Sequence, residues 1–155
     1  MDKIDSSIIS HLQQNARLSN KELASAVGLS PSACLERVRR LQREGVLSGF
    51  HAEVNPAELG IGLQAFVSVR LQKHSRDVVD AFRAHVVTLP ETVAVYHVAG
   101  ESDFLVHVAV RDAEHLRNLT LDGFTTRTEV ARLNTALIYE HAMNYQLPNL
   151  SLIHI

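Results

Sequence analysis

Four arginines crowd the run SPSACLERVRRLQREG, residues 30–45: Arg37, Arg39, Arg40 and Arg43. Guanidinium groups recognise phosphate oxygens and guanine edges through charge-assisted hydrogen bonds, so the chemistry on offer is capture of a polyanion. A second polar constellation stands in HVAGESDF, residues 97–104. Its Glu101, Ser102 and Asp103 follow a glycine, Gly100, that permits a sharp turn with exposed backbone amides. Such amides can take a carboxylate, and an acid such as Asp103 can take an ammonium. The pair suits an amino acid, although a plain polar hairpin turn has the same composition.

The elements that must carry the arginines are helical. Ile4, Ile8 and Leu12 recur at spacing of four, with Asp2 or Asp5 as cap. Ser19 or Asn20 opens a short second helix, NKELASAV, whose Leu23, Ala24 and Val27 face inward and which Gly28 ends. Ser30-Pro31 then starts a third helix over 30–44, closed by Gly45, with Cys34, Val38 and Leu41 as its apolar stripe. Helix, tight turn, helix is helix-turn-helix spacing, with the first helix as third wall. The stripe leaves Ser30, Ser32, Ala33, Glu36, Arg37, Arg40 and Arg43 pointing away from the core. A helix of that length is roughly 22 Å long and fits a DNA major groove. Arg37 and Arg40 are candidates for bases or phosphates, Arg39 and Arg43 for phosphates alone. Two alternatives stay open at this point: a solvated surface helix with a Glu36–Arg40 pair, or an internal salt bridge from Arg37 to the neighbours of Glu36 or to the first helix. If Arg40 serves DNA, Arg40→Ala should weaken binding and spare the fold. After the helix, VLSGFHAEVNP alternates around Gly49 and predicts a two-stranded wing over 46–54.

Downstream of Asn55-Pro56 the period changes. Strand patterns over 63–72, 93–99, 103–110 and 131–143 alternate with helical spacing over 76–89 and 112–123, which is the β-α-β-β-α-β order of a ferredoxin-like domain. The fold class is therefore α+β: a winged helix-turn-helix domain over 1–54, a linker over 55–62 and a second domain over 63–155. In its strands Phe104, Val106, Val108 and Val110 oppose Leu105 and Ala109, and Leu133, Leu137 and Tyr139 oppose Ala136 and Ile138. Two helices cover one face of such a sheet, so the second apolar face calls for another copy of the same sheet. Residues 146–155 fit an edge strand or a loose tail.

The run LSNKELASAVGLSPSACLERVRRLQREGVLSGFHAEVNP, preceded by IDSSIISHLQQNAR, resembles the DNA-binding half of the Lrp/AsnC (feast/famine) bacterial transcription regulators. The second half resembles that family's amino-acid-sensing module, and the likeness spans residues 2–145. The resemblance implies a sequence-specific regulator that binds double-stranded DNA at a pseudo-palindromic operator. It also implies a homodimer that assembles to an octamer or similar, tuned by an amino-acid effector, with no other cofactor. The glycine-acid-x-Asp-aromatic pattern of Gly100, Glu101, Asp103 and Phe104 matches the family's effector turn. It implies an effector site of His97, Val98, Ala99, Gly100, Glu101, Ser102, Asp103 and Phe104, with Thr135 as the opposite wall. Ser102 stands where relatives often carry an aromatic residue and His97 where they often carry an aliphatic one, so leucine need not be the effector. An architectural DNA-binding protein without an effector is the alternative.

Other classes find less support. The net charge of −2 hides an asymmetry. Residues 1–50 hold seven Lys/Arg against five acids, +2, and the remainder eight against twelve, −4. Nine histidines include no helical metal-binding pair and Cys34 has no cysteine companion, so no zinc site is expected; His97 and His107, on neighbouring strands, could touch, and His107 could respond to pH. No catalytic Ser/His/Asp arrangement, phosphate-binding glycine loop or HExxH run is present, so no enzyme is expected. A lone cysteine, no signal-peptide pattern and no long apolar run point to a cytoplasmic protein without a membrane segment, and the family resemblance implies a bacterial, nucleoid-associated one.

Overall fold

The computed structural model describes residues 1–152, which divide into two compact units, Met1–Glu53 with Ala142 onward, and Val54–His141. In the first, α1 (Lys3–Gln14), α2 (Asn20–Val27) and α3 (Pro31–Arg43) are each started by a side-chain cap. Asp2 accepts from the Asp5 N–H while Asp5 accepts from the Asp2 N–H, and Ser19 and Glu22 make the same reciprocal pair on α2. These contacts satisfy amides that a helix start otherwise leaves orphaned. Ser30 caps α3 ahead of Pro31, and Gly28 ends α2 in a left-handed conformation. The three stripes meet in a core of Ile8, Leu12, Leu23, Ala24, Cys34 and Leu41. Cys34 is fully buried, and burial pushes its thiol up.

The expected wing over 46–54 does not form: no strand pairing occurs there among the described residues. The amides a ribbon would need are consumed by the end of α3, since Val46 N–H and Leu47 N–H both reach the Leu41 carbonyl, at 2.9 and 3.1 Å. Beyond them the chain runs unpaired, with Phe50 and Val54 exposed. The tail from Ala142 groups with the first unit rather than the second. The Leu147 N–H donates to Gln13 Oε1 at 2.7 Å, and Gln146 Nε2 bonds Ser10 Oγ at 3.1 Å. Part of the tail assigned to an edge strand or loose end is thus a short 3-10 turn, Leu150–Leu152; residues 153–155 lie outside the described residues.

The second unit is the β-α-β-β-α-β arrangement: β1 (Leu63–Leu71), α4 (Arg76–Val86), β2 (Thr92–His97), β3 (Phe104–Val110), α5 (Ala113–Leu119) and β4 (Val130–Ile138). A π-helical turn, Thr120–Thr125, extends α5. The sheet is antiparallel with strand order β2-β3-β1-β4. Strict alternation on β1 and β3 sends Ala65, Val67, Val69, Phe104, Val106 and Val108 to one face, where Phe82, Val86, Leu116, Leu119 and Phe124 seal them. The Phe82 ring lies 5.0 Å from Phe104 and 6.4 Å from Phe124, centroid to centroid, a spacing that favours tilted aromatic contact. Register places Phe66, Leu105, His107, Ala109, Ala136 and Ile138 on the other face, which neither helix covers. His97 pairs with Phe104 and His107 with Ala94, so the two histidines occupy opposite faces and do not meet. Burial, with His141 nearby, pushes the His107 imidazole below its usual range.

Candidate functional site

The exposed side of α3 carries Ser30, Ser32, Glu36, Arg39 and Arg43 at its surface, with Ala33, Arg37 and Arg40 half-buried beside them. Ala33, Glu36, Arg37, Arg40 and Arg43 line a shallow recess of about 240 Å³. Small residues in the first turn and cations further along suit a helix that meets a phosphate backbone. The cations are not equivalent, however. Arg37 Nη1 lies 2.6 Å from Asp2 Oδ2 and 2.9 Å from Asp5 Oδ1. Arg40 Nη2 lies 2.6 Å from Asp5 Oδ2, and its Nε is buried without a partner among the described residues. The internal bridge to the first helix, an open alternative for Arg37, therefore forms, and Arg40 shares it. Arg39 and Arg43 make no ion pair among the described residues.

Asp5 is 1% exposed. Burial alone would raise its carboxyl, yet the Asp2 N–H and the guanidinium groups of Arg37 and Arg40 hold it below the usual carboxylate range. Asp2 is held at about 2, chiefly by Arg37 and then by the Asp5 N–H. Both carboxylates are charged at neutral pH, and the four-residue cluster is electrically balanced. The sequence marks Asp2 and Asp5 as helix caps and offers the first helix, without naming a residue, as a partner for Arg37. Their second role depends on how α1 crosses α3, across 32 to 35 residues of chain, and no local spacing carries that.

The 97–104 turn is built differently from its sequence expectation. Gly100 adopts φ 133°, outside what a side chain tolerates cheaply. The Val98 N–H donates to the Asp103 carbonyl at 2.9 Å and the Asp103 N–H to the Val69 carbonyl at 2.8 Å. Among the described residues the N–H groups of Ala99, Gly100, Glu101 and Ser102 have no acceptor. Arg70, absent from the sequence-based set, donates from Nη1 to the carbonyls of Gly100 and Glu101 at 3.0 and 2.8 Å. The turn is thus ordered from outside by a cation, with its free amides alongside. Asp103 is buried and already engaged: its Oδ2 accepts the Leu71 N–H at 2.7 Å and its Oδ1 lies 2.9 Å from His74 Nε2. Glu101 is the exposed acid of the turn. Phe104 is fully buried and belongs to the core, with His97 stacked on it at 4.8 Å. Thr135, on β4, pairs with Val67 of β1, so β1 lies between it and the β3 arm of the turn; within one chain the structure does not bring the two together. No signal within β1 marks Arg70 or His74 apart from a charge on an otherwise apolar strand and its exit.

Among the described residues, no helix is long and apolar enough to cross a membrane, and no group of three or more His, Cys, Asp or Glu could hold a metal ion. Residues 1–42 match the AsnC-type helix-turn-helix domain and residues 64–147 the Lrp/AsnC ligand binding domain. The chain is 45% identical over 141 residues to the HTH-type transcriptional regulator AldR of Mycolicibacterium smegmatis, covering 91% of this chain and 82% of the relative. It is 41% identical over 119 residues to the leucine-responsive regulatory protein of Escherichia coli, covering 77% and 73%. A transcriptional regulator from Neisseria meningitidis, solved as a complex with L-Met, superposes with a TM-score of 0.88 at 31% identity over 97% of both chains. These relatives are transcription regulators, not enzymes. A helix-turn-helix with a cationic third helix, joined to a βαββαβ ligand-binding unit, is thus matched along nearly its whole length, and the chain belongs to the Lrp/AsnC family of transcriptional regulators.

Proposed function

We propose that the chain is a sequence-specific regulator in the bacterial cytoplasm, associated with the nucleoid, whose DNA affinity or assembly responds to an amino acid. The observation that carries the effector half is the turn 98–103, where amides without an acceptor among the described residues stand beside Arg70 and the exposed Glu101. The amides and Arg70 offer a carboxylate site, and Glu101 offers an ammonium partner. The L-Met complex of the meningococcal relative supports the ligand class. The uncovered sheet face, with Phe66 and Leu105 at its centre, supports pairing of two copies. Two helix-turn-helix units would then meet a pseudo-palindromic operator, and the dimers would assemble further to an octamer or similar. The effector shifts that equilibrium only by its differential affinity for the two arrangements.

Calorimetry of the full chain against the twenty amino acids tests the effector reading, with Glu101→Gln as the companion variant. One or more amino acids should bind the parent and lose affinity at least tenfold in the variant. Binding by none would leave an architectural DNA-binding protein without an effector. Binding untouched by Glu101→Gln would remove the ammonium assignment.

A further inference from the structure

Two of the four arginines on α3 are already occupied by carboxylates, and the two carboxylates differ in how firmly they hold. Asp5 is 1% exposed and keeps Arg40 at 2.6 Å. Asp2 is 53% exposed and keeps Arg37 at 2.6 Å through Oδ2, while its Oδ1 caps α1 through the Asp5 N–H. A DNA phosphate approaching α3 must compete with these carboxylates for the same guanidinium donors. Asp2 can yield, because its side chain is half-exposed and its capping oxygen is a separate atom. Asp5 cannot yield without leaving a buried charge behind.

We propose that Asp2 and Asp5 set the specificity of the DNA-binding surface by withholding Arg37 and Arg40 from indiscriminate phosphate contact. Among the described residues, Arg39 and Arg43 are the α3 arginines without a carboxylate partner and so remain to attract any duplex. Arg37 is released from Asp2 only where groove contacts made by the rest of the helix bring a phosphate or base edge into place. Non-specific affinity scales with the number of phosphates neutralised, whereas specific affinity adds base-edge contacts. Holding back a cation therefore lowers the first more than the second. The inference rests on the DNA-binding reading of α3 and assigns Asp2 a role beyond capping.

The test compares the parent chain with Asp2→Asn on a random-sequence duplex across a salt series. Asparagine caps helices as well as aspartate, so the fold is kept while the charge is lost, and a single cooperative melting transition with parent-like circular dichroism checks this. In the variant Arg37 keeps only the Asp5 Oδ1 contact of its Nη1, at 2.9 Å, and its remaining donors are free for about one phosphate contact per protomer, which steepens the log–log salt slope by about 0.9 and tightens binding about eightfold at 0.1 M salt. Glu44→Gln removes the same charge from an exposed position without an ion-pair partner among the described residues, and its slope should stay at the parent value. If Asp2→Asn matches the parent, or if Glu44→Gln steepens the slope equally, the withholding role is wrong while DNA binding stands. If neither parent nor variant retains duplex DNA in dilute buffer, the DNA-binding reading falls and this inference with it.

Discussion

Replacing Asp5 by alanine removes the carboxylate on which three contacts of the first unit converge: the Asp2 N–H at 3.0 Å, Arg37 Nη1 at 2.9 Å and Arg40 Nη2 at 2.6 Å. Stripping one partner from a fully buried ion pair costs about 3–5 kcal/mol. Arg37 and Arg40 keep 28% and 41% of their side-chain surface, so each can swing part-way into water and recover some hydration. The net loss should be about 2–3 kcal/mol once that relief is deducted from the buried-pair cost. For a unit of this size the melting temperature moves about 4–8 °C per kcal/mol, which gives a fall of roughly 10–20 °C in far-ultraviolet circular dichroism. Arg40→Ala should also destabilise, contrary to the expectation that it serves DNA alone. The Asp5→Ala/Arg40→Ala double variant should lose less than the sum of the two singles, because the two side chains share one interaction. The pH dependence has a definite sign. Because Asp5 in the folded chain titrates below its ordinary 3.8, its contribution is complete above that value and is lost as pH falls through the folded value beneath it. Asp2 adds to the same acid loss between 3.8 and about 2. A parent-like melting curve for Asp5→Ala, or additive losses in the double variant, would refute this account of the cluster.

A Cβ on Gly62 would stand 2.4 Å from the Arg111 carbonyl oxygen, a backbone atom that cannot step aside. Gly62→Ala should therefore destabilise the second unit by about 1–3 kcal/mol in urea titration. Gly100→Ala meets no atom within 4 Å, and should lose about 1–3 kcal/mol through its φ of 133° alone. Arg43→Ala should leave the melting curve unchanged and flatten the log–log salt slope of duplex binding by about 0.9 per protomer. Phe66→Glu, at the centre of the uncovered sheet face, should give monomers in analytical ultracentrifugation where the parent gives dimers or larger assemblies, with the strands intact.

Much of this architecture is legible in the sequence because it is local. Asp2, Ser19 and Ser30 announce their helices through capping chemistry, and the alternation of Phe104, Val106, Val108 and Val110 gives β3 its faces before any coordinates. The same alternation places Phe104 in the core; the motif around Gly100 points the other way, and the packing against Phe82 decides for the core. The wing is absent because the Val46 and Leu47 amides are taken by Leu41, which the pattern around Gly49 does not disclose. The partners of Arg37 and Arg40 are hidden for a related reason: they lie on another helix, and only the crossing of α1 and α3 joins them. Arg70 and Thr135 show the effect of strand order. Adjacency of β1 to the β2–β3 turn brings Arg70 to Gly100, while the order β2-β3-β1-β4 takes Thr135 away.

The claim that α3 is the surface that meets DNA is tested most directly by Ser32→Glu. Ser32 is exposed in the first turn of α3, where an added anion favours the helix yet repels a phosphate backbone. Retention of a duplex from upstream of the protein's own gene should be lost in the variant, with the melting temperature equal to or above that of the parent. Undiminished retention by the Ser32→Glu protein would contradict the account.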